Sequence, residues 1–513
     1  MAFFPFVLVL ALLALIVKPI ITYIYDPLSL RKYPNQNILS PFTELAYVWS
    51  RRNSFRTKAL YIQHEKYPII RVGPRTLSFG SVAAIQDIYG HSSPCLKAET
   101  YQATLSPGAH THILNAIDRE DHATKRRMLS NAFATRNLES WEEKIVDKVK
   151  CLVRQLDRMC IPSPNGSVHG DGEFNVDWRK WSNLFTIDAI AEIALSEKTH
   201  VLEARNDTIM VSNQGGKTRT LSFLESMHGG ARIASWFFGA PGWFTFFKRA
   251  TSLISPHLRR KWEQGEDFGA IVRHLVDRRL SRLDNPDDFI ACLLADKSGK
   301  PRNLDRGEIE TEANMLLDAG SETTAIALTH LLYYLVRNPD SLSQLRVEVT
   351  SILQESEIIA PYAKVKNLPY LKACINESLR LSPPLPRGLE RATPPDGIVI
   401  AGTRIAGNVG VSVPAYIAHR DATIFPNPEQ FAPERWLQVK PAELAAMGAA
   451  FIPFSTGSRG CIGRNLTMME QQILVATLVH RYNFVLPDGF ELEYEEAFNL
   501  WPGRMPMRVW RRG

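Results

Sequence analysis

The sequence predicts a mainly α-helical fold with a smaller β portion, an α+β architecture built on one long central helix and a glycine-rich cysteine loop. Three observations predict it. Apolar residues recur at helical spacing through most of the stretch from about Glu120 to Asn338. Short alternating β patterns flank that region. One helical pattern runs unbroken from Asp305 to Asn338, long enough at 1.5 Å per residue to cross a domain over ~50 Å.

With 513 residues, 45% of them hydrophobic and 22% charged, the chain can bury a sizeable core. It shows no internal repeat and no low-complexity tract. Its one Pro/Gly/Ser-rich stretch, Ile161 to Gly172, is short and flanked by helical patterns, and so reads as a surface loop. A single large core with an appended N-terminal segment follows. The net charge of +7, from 60 basic and 53 acidic residues, is too mild over this length to argue for nucleic acid. It suits a membrane surface or an acidic protein partner. The six cysteines form no Cys-x-x-Cys pair, which indicates reduced thiols in a cytosol-facing protein and no structural zinc site.

In chain order, Phe3 to Val17 carries no charge and Ile20 to Tyr25 continues the apolar character. This predicts an uncleaved single-pass anchor over residues 1–25. The basic residues Arg31, Lys32, Arg51, Arg52, Arg56 and Lys58 follow it and put the main body in the cytosol. Pro27 and Pro34 mark a hinge over 26–40, and the main domain occupies 41–513. Ile69 to Phe79 alternates around Gly73-Pro74 and predicts a hairpin, as does Val399 to Val413. Between them lie helical patterns at Trp141–Met159, Trp181–Leu195 and Glu263–Leu283. Seven aromatics surround a Gly-Ala-Pro-Gly turn in Trp236–Phe247, either a loop dipping into a bilayer or a buried cluster. Asp305 and Glu308 form a capping-box arrangement at the start of the long helix, and Asn338-Pro339 stops it. Glu377 and Arg380 share a helix face that ends at Pro383, Pro384 and Pro386.

The densest chemical signal is Phe454-Ser-Thr-Gly457-Ser-Arg459-Gly460-Cys461-Ile-Gly463, followed by the apolar helical run Leu466 to Val479. A thiol on a tight loop at a helix N-terminus favours the thiolate, as nucleophile or as metal ligand. In the long helix, Ala319-Gly320-Ser-Glu322-Thr323-Thr324 places a glycine, an acid and alcohols inside an apolar stretch. Gly320 serves either close helix packing or room for a small ligand. Thr323 either bonds back to a carbonyl one turn earlier or serves a ligand.

In order, these motifs with Glu377-x-x-Arg380 and Pro433-Glu434-Arg435-Trp436 resemble the cytochrome P-450 family of haem-thiolate monooxygenases over essentially the whole chain. Their flavour is similar to membrane-anchored fungal members of natural-product or aromatic-acid metabolism. The resemblance implies the cytochrome P-450 fold and heme b (iron protoporphyrin IX) with Cys461 as axial thiolate and metal ligand. It implies Phe454 beside the ligand, Gly460 and Gly463 for close approach, and Arg459, Arg391, Arg126 and His122 at the propionates. The family often has Trp where His122 stands, so a solvated helix histidine remains the other reading; it often has Phe where Trp436 stands, a minor change. Gly320 would line the dioxygen pocket, Thr323 would donate to the distal oxygen, and Glu322 would link it to solvent protons. Glu377, Arg380 and Arg435 would form a buried structural network. The implied partners are an NADPH–cytochrome reductase on the same membrane, that of the endoplasmic reticulum, molecular oxygen and a hydrophobic small molecule. Lys125, Arg126, Arg127 and Arg464 are candidates to dock the reductase. The implied activity is insertion of one oxygen atom into an apolar substrate in fungal secondary metabolism. The alternatives are a benzoate-type aromatic-acid hydroxylase, a peroxide-rearranging member, and a haem carrier or sensor without turnover.

Overall fold

The computed structural model describes residues 17–50, 54–105, 108–130, 132–133, 135–160, 174–212, 216–284 and 286–512. Helices α1 (Arg119–Ser130), α2 (Thr135–Met159), α3 (Trp178–Leu195), α4 (Phe223–Ala234), α5 (Pro256–Leu280), α6 (Arg306–Arg337), α7 (Pro369–Leu381) and α8 (Arg464–Arg481) position the site. Strands β1 (Ile69–Gly73), β2 (Thr76–Phe79), β3 (Leu96–Lys97), β4 (Arg391–Ala392) and β5 (Gly410–Ser412) form one sheet in the order β1-β2-β5-β4-β3.

The long helix α6 organises the rest. Residues from Ala313 to Leu335 are buried on almost every side, and α6 packs against α3, α7 and α8. A helix that is apolar all round has to be central. Its start is capped by Asp305, whose carboxylate accepts the Gly307 N–H at 2.7 Å. Glu308 does not complete the reciprocal box. Its carboxylate turns to Lys125 Nζ on α1 at 2.8 Å, because an ion pair with a buried lysine outweighs a second cap bond.

The predicted hairpin at 69–79 forms as β1 and β2, with Ile69 opposite Phe79 and Arg71 opposite Leu77. The stretch 399–413 departs from prediction. Ile398–Ile400 and Thr403–Ile405 pair as a small hairpin, but Gly410–Ser412 leaves them and runs parallel to β2. The chain turns away at Gly407, where a Cβ would sit 1.8 Å from the Pro395 carbonyl oxygen.

Residues 17–25 are helical with Ile20, Ile21, Ile24 and Tyr25 exposed. The first sixteen residues of the expected anchor, and the expected loop at 161–172, lie outside the described residues. Among the described residues no helix is long and apolar enough to cross a membrane. The segment 26–40 packs onto the body: Leu30 and Tyr33 join Leu77 and Phe79 in one apolar cluster. The Arg71 N–H donates to the Pro34 carbonyl at 2.8 Å. The aromatic stretch divides between its two readings, with Phe237 and Phe244 buried against Trp262 while Trp243 and Phe246 are exposed.

Candidate active site

The cysteine loop is held from within and from behind. The Cys461 N–H donates to the Phe454 carbonyl at 2.8 Å, and the Gly460 N–H to the Gly457 carbonyl at 3.1 Å. Gly457 has φ +70°, and a Cβ there would lie 1.9 Å from the Tyr89 carbonyl oxygen. Only glycine satisfies both demands. α8 starts three residues after Cys461, so the N–H groups of Gly463 and Arg464 turn towards the sulfur. Burial pushes the Cys461 thiol up, against those N–H groups and the Arg126 and Arg464 charges, which pull it down. The helix terminus alone therefore does not make the thiolate; a coordinated cation deprotonates a thiol outright.

Beneath the loop sits a saturated polar network. Both Glu377 and Arg380 are fully buried and paired through two bonds of 2.9 Å. Arg435 Nε and the Ala432 N–H also donate to Glu377 Oε1, at 2.9 and 3.0 Å. The indole N–H of Trp436 donates to Glu377 Oε2 at 3.0 Å, a bond that phenylalanine has no atom to make, so this position is more than a change of aromatic ring. His419 ties the network to the loop. Its Nε2 accepts the Ile452 N–H at 2.9 Å, which leaves Nδ1 to donate to the Arg380 carbonyl at 3.1 Å. Burial holds His419 down to about 3, so it stays neutral in that role.

Cys461, Arg459, Arg391, Arg126, His122, Phe454, Gly463, Gly320 and Thr323 all line one largely apolar cavity, with walls drawn from Tyr89 through to Asn499. At one edge the basic groups converge. Arg459 donates to the carbonyls of Ala116 and Ile117 at 2.9 Å, and Arg126 to the Gly460 carbonyl at 2.7 Å. Arg391 donates to the Tyr101 hydroxyl at 3.1 Å. The sequence reading missed a further member, Lys97, whose Nζ donates to the Ile113 and Leu114 carbonyls at 2.9 and 2.7 Å. Burial and the charges of Arg459, Arg391 and Arg126 push Lys97 down to about 6. Burial, Lys97 and the same three arginines hold His122 near 3. His122 is buried and faces the cavity, so it is not a solvated helix histidine.

Across from the sulfur, α6 presents Gly320 and Thr323. A Cβ on Gly320 would lie 2.6 Å from the Ile190 side chain on α3, so the glycine also serves close helix packing. The Thr323 hydroxyl donates to the Ala319 carbonyl at 2.8 Å, the back-bonded arrangement. Glu322 does not line the cavity. It is buried behind it, paired with Arg179 on α3 and with His228 Nε2 on α4 at 2.8 Å. Burial opposes its charge, but Arg179 and His228 prevail and hold the carboxyl down at about 2. Two further carboxyls in the cavity wall were not singled out from sequence: Asp318 on α6, and Glu470 on α8, pushed up to about 8 by burial beside Thr324. The signal for Asp318 was available, as an acid one helical turn before Glu322 in an apolar run.

Of the four candidate docking residues, Lys125 is corrected. It is buried and paired with Glu308 at 2.8 Å and Glu312 at 3.6 Å, and so has no face for a partner. Arg126 is committed to the cavity edge; Arg127 and Arg464 are exposed.

This donor set fits a haem. Among the described residues no group of three His, Cys, Asp or Glu side chains could hold a metal ion. A metal on Cys461 therefore needs its other ligands from a bound group. The mutually repelling cluster of Lys97, Arg126, Arg391 and Arg459 calls for anions at the same edge, which two carboxylates would supply.

The family model for cytochrome P450 matches residues 48–502. A benzoate 4-monooxygenase of Aspergillus niger is 29% identical over 487 residues, covering 92% of each chain. The cytochrome P450 monooxygenase efuB of Hormonema carpetanum is 31% identical over 96% of this chain and 92% of its own. A tryprostatin B 6-hydroxylase of Aspergillus fumigatus is 30% identical over 95% of this chain and 82% of its own.

Proposed function

This chain belongs to the cytochrome P450 family of monooxygenases, and on that premise we propose that it oxygenates an apolar organic substrate of fungal secondary metabolism, using heme b bound through the Cys461 thiolate. The observation that carries this reading is the meeting, in one apolar cavity, of Cys461, a basic edge and the Gly320–Thr323 turn. The bound haem supplies dioxygen activation and transfer of one oxygen atom. The protein does the rest. Arg126, Arg391, Arg459, Lys97 and His122 bind and orient the propionates. Phe454 and the loop N–H groups shield and tune the sulfur. The apolar walls hold substrate and exclude water. Thr323 holds a proton on Oγ1; swung from the Ala319 carbonyl into the cavity, that O–H becomes a donor. Glu322 contributes to proton supply by leaving Arg179 and His228 through a side-chain rotation.

Electrons come from an NADPH–cytochrome reductase, for which the exposed Arg127 and Arg464 form the docking face. Residues 1–25 anchor the chain, with the catalytic body on the cytosolic side of the endoplasmic reticulum. The test is the reduced, CO-bound spectrum of the purified holoprotein, with product formation dependent on NADPH and reductase. The wild type should show the thiolate-ligand band, and Cys461→His should lose it while still binding haem. A wild-type spectrum without that band overturns the assignment.

A further inference from the structure

Of the two acids in this cavity that the monooxygenase reading leaves without a task, Glu470 is hydrogen-bonded to Thr324 and pushed up to about 8, so it stays mostly neutral, while Asp318 has no such partner. It lines the wall on α6, one turn before Glu322, with Met315, Leu316 and Ala319 beside it on the same helix. It is set deep among protein atoms yet has an open surface, and the space it opens onto is the cavity it lines. Its carboxylate makes no hydrogen bond or ion pair with any described residue, although its backbone carbonyl accepts the Ser321 hydroxyl at 3.4 Å. The two charges that act on it are Glu322, which opposes its ionisation, and His228, which favours it. His228 is already committed to Glu322 at 2.8 Å. Burial, with Glu322, raises the Asp318 carboxyl only to about 6, so it is mostly ionised at neutral pH. Lys97, Arg126, Arg391 and Arg459 line the same cavity, but they crowd one another at its other edge and do not act on Asp318. The cavity is thus polarised, with a basic edge and a separate acidic position on α6.

An ionised carboxylate facing apolar walls without a protein partner costs stability, and alanine or leucine there would not. Such a group gains most from a ligand that brings its own cation and N–H donor. We propose that Asp318 is a specificity-determining residue that anchors a basic nitrogen of the substrate, so that the enzyme takes hydrophobic amines protonated at neutral pH. The carboxylate accepts the ammonium N–H, and the apolar remainder of the substrate extends towards the Gly320–Thr323 turn. This rests on the monooxygenase reading of the cavity and adds the class of substrate.

The experiment uses the purified holoenzyme at pH 8 and two probes of matched shape. These are N,N-dimethyl-4-phenylbutylamine and its neutral carbon isostere, 5-methyl-1-phenylhexane. Binding is followed by titration calorimetry, with the CO-bound spectrum recorded separately on the same preparations. Wild type should bind the amine at least ten-fold more tightly than the isostere. Asp318→Asn should lose that preference and Asp318→Glu should keep it. Equal binding of the two probes to wild type, or an undiminished preference in Asp318→Asn, overturns the proposal. Loss of the thiolate band with the preference intact would instead count against the haem assignment and leave the amine site standing.

Discussion

Trp436→Phe isolates one hydrogen bond in the network under the cysteine loop. Glu377 accepts two bonds from Arg380, one each from Arg435 and the Ala432 N–H, and one from the Trp436 indole at 3.0 Å. Phenylalanine keeps the ring contact with Phe451, whose centroid lies 4.9 Å away, and removes only the N–H and the second ring. A hydrogen bond to a charged group contributes ~1.5–3 kcal/mol. The half-buried second ring adds roughly 20 Å² of apolar burial, or ~0.5 kcal/mol. The expected loss is ~2–3 kcal/mol, read as a lower urea midpoint in far-UV circular dichroism at unchanged slope. Because His419 and Arg380 connect this network to Ile452, the thiolate band should disappear at lower urea in step with the unfolding. A variant within ~0.5 kcal/mol of wild type, the usual scatter of neutral surface changes, would show that the indole N–H contributes nothing and that the reasoning about a saturated carboxylate is wrong.

Two more outcomes follow from the same geometry. Gly457→Ala drives a Cβ to 1.9 Å from the Tyr89 carbonyl at φ +70° and should cost more than ~2 kcal/mol, seen as low haem content and a lowered Tm; full haem occupancy would count against it. The Glu322 carboxyl is depressed in the folded state to about 2 from 4.5, so its stabilisation is complete above pH 4.5 and is lost as pH falls towards 2. Thermal unfolding of wild type should therefore fall more steeply across that window than that of Glu322→Gln, and parallel curves would rule the ion pairs out as its source.

Features written locally in the chain were legible before the structure. α6 begins and ends where Asp305 and Asn338-Pro339 said, because caps and proline act on their neighbours. The cysteine loop was readable because its glycines and arginine lie within ten residues. Features that depend on distant pairing were not. Nothing near Gly410 announces that it will run beside Thr76 rather than Ile405, since that partner lies more than 300 residues away. Lys97 and Asp318 are single residues whose meaning comes from what the fold sets around them. Trp436 looked interchangeable with phenylalanine because sequence alone shows a ring and hides the carboxylate beneath it.

The cavity wall, drawn from Tyr89 to Asn499, sets a timetable for biosynthesis. A nascent chain that has only just been extended past Cys461 has neither that residue free of the ribosomal tunnel nor Phe498 synthesised. On the proposed function, cofactor insertion waits until the chain has been made past Phe498. Until then Lys97, Arg126 and Arg391 stand as an uncompensated positive cluster around an unfinished apolar hollow.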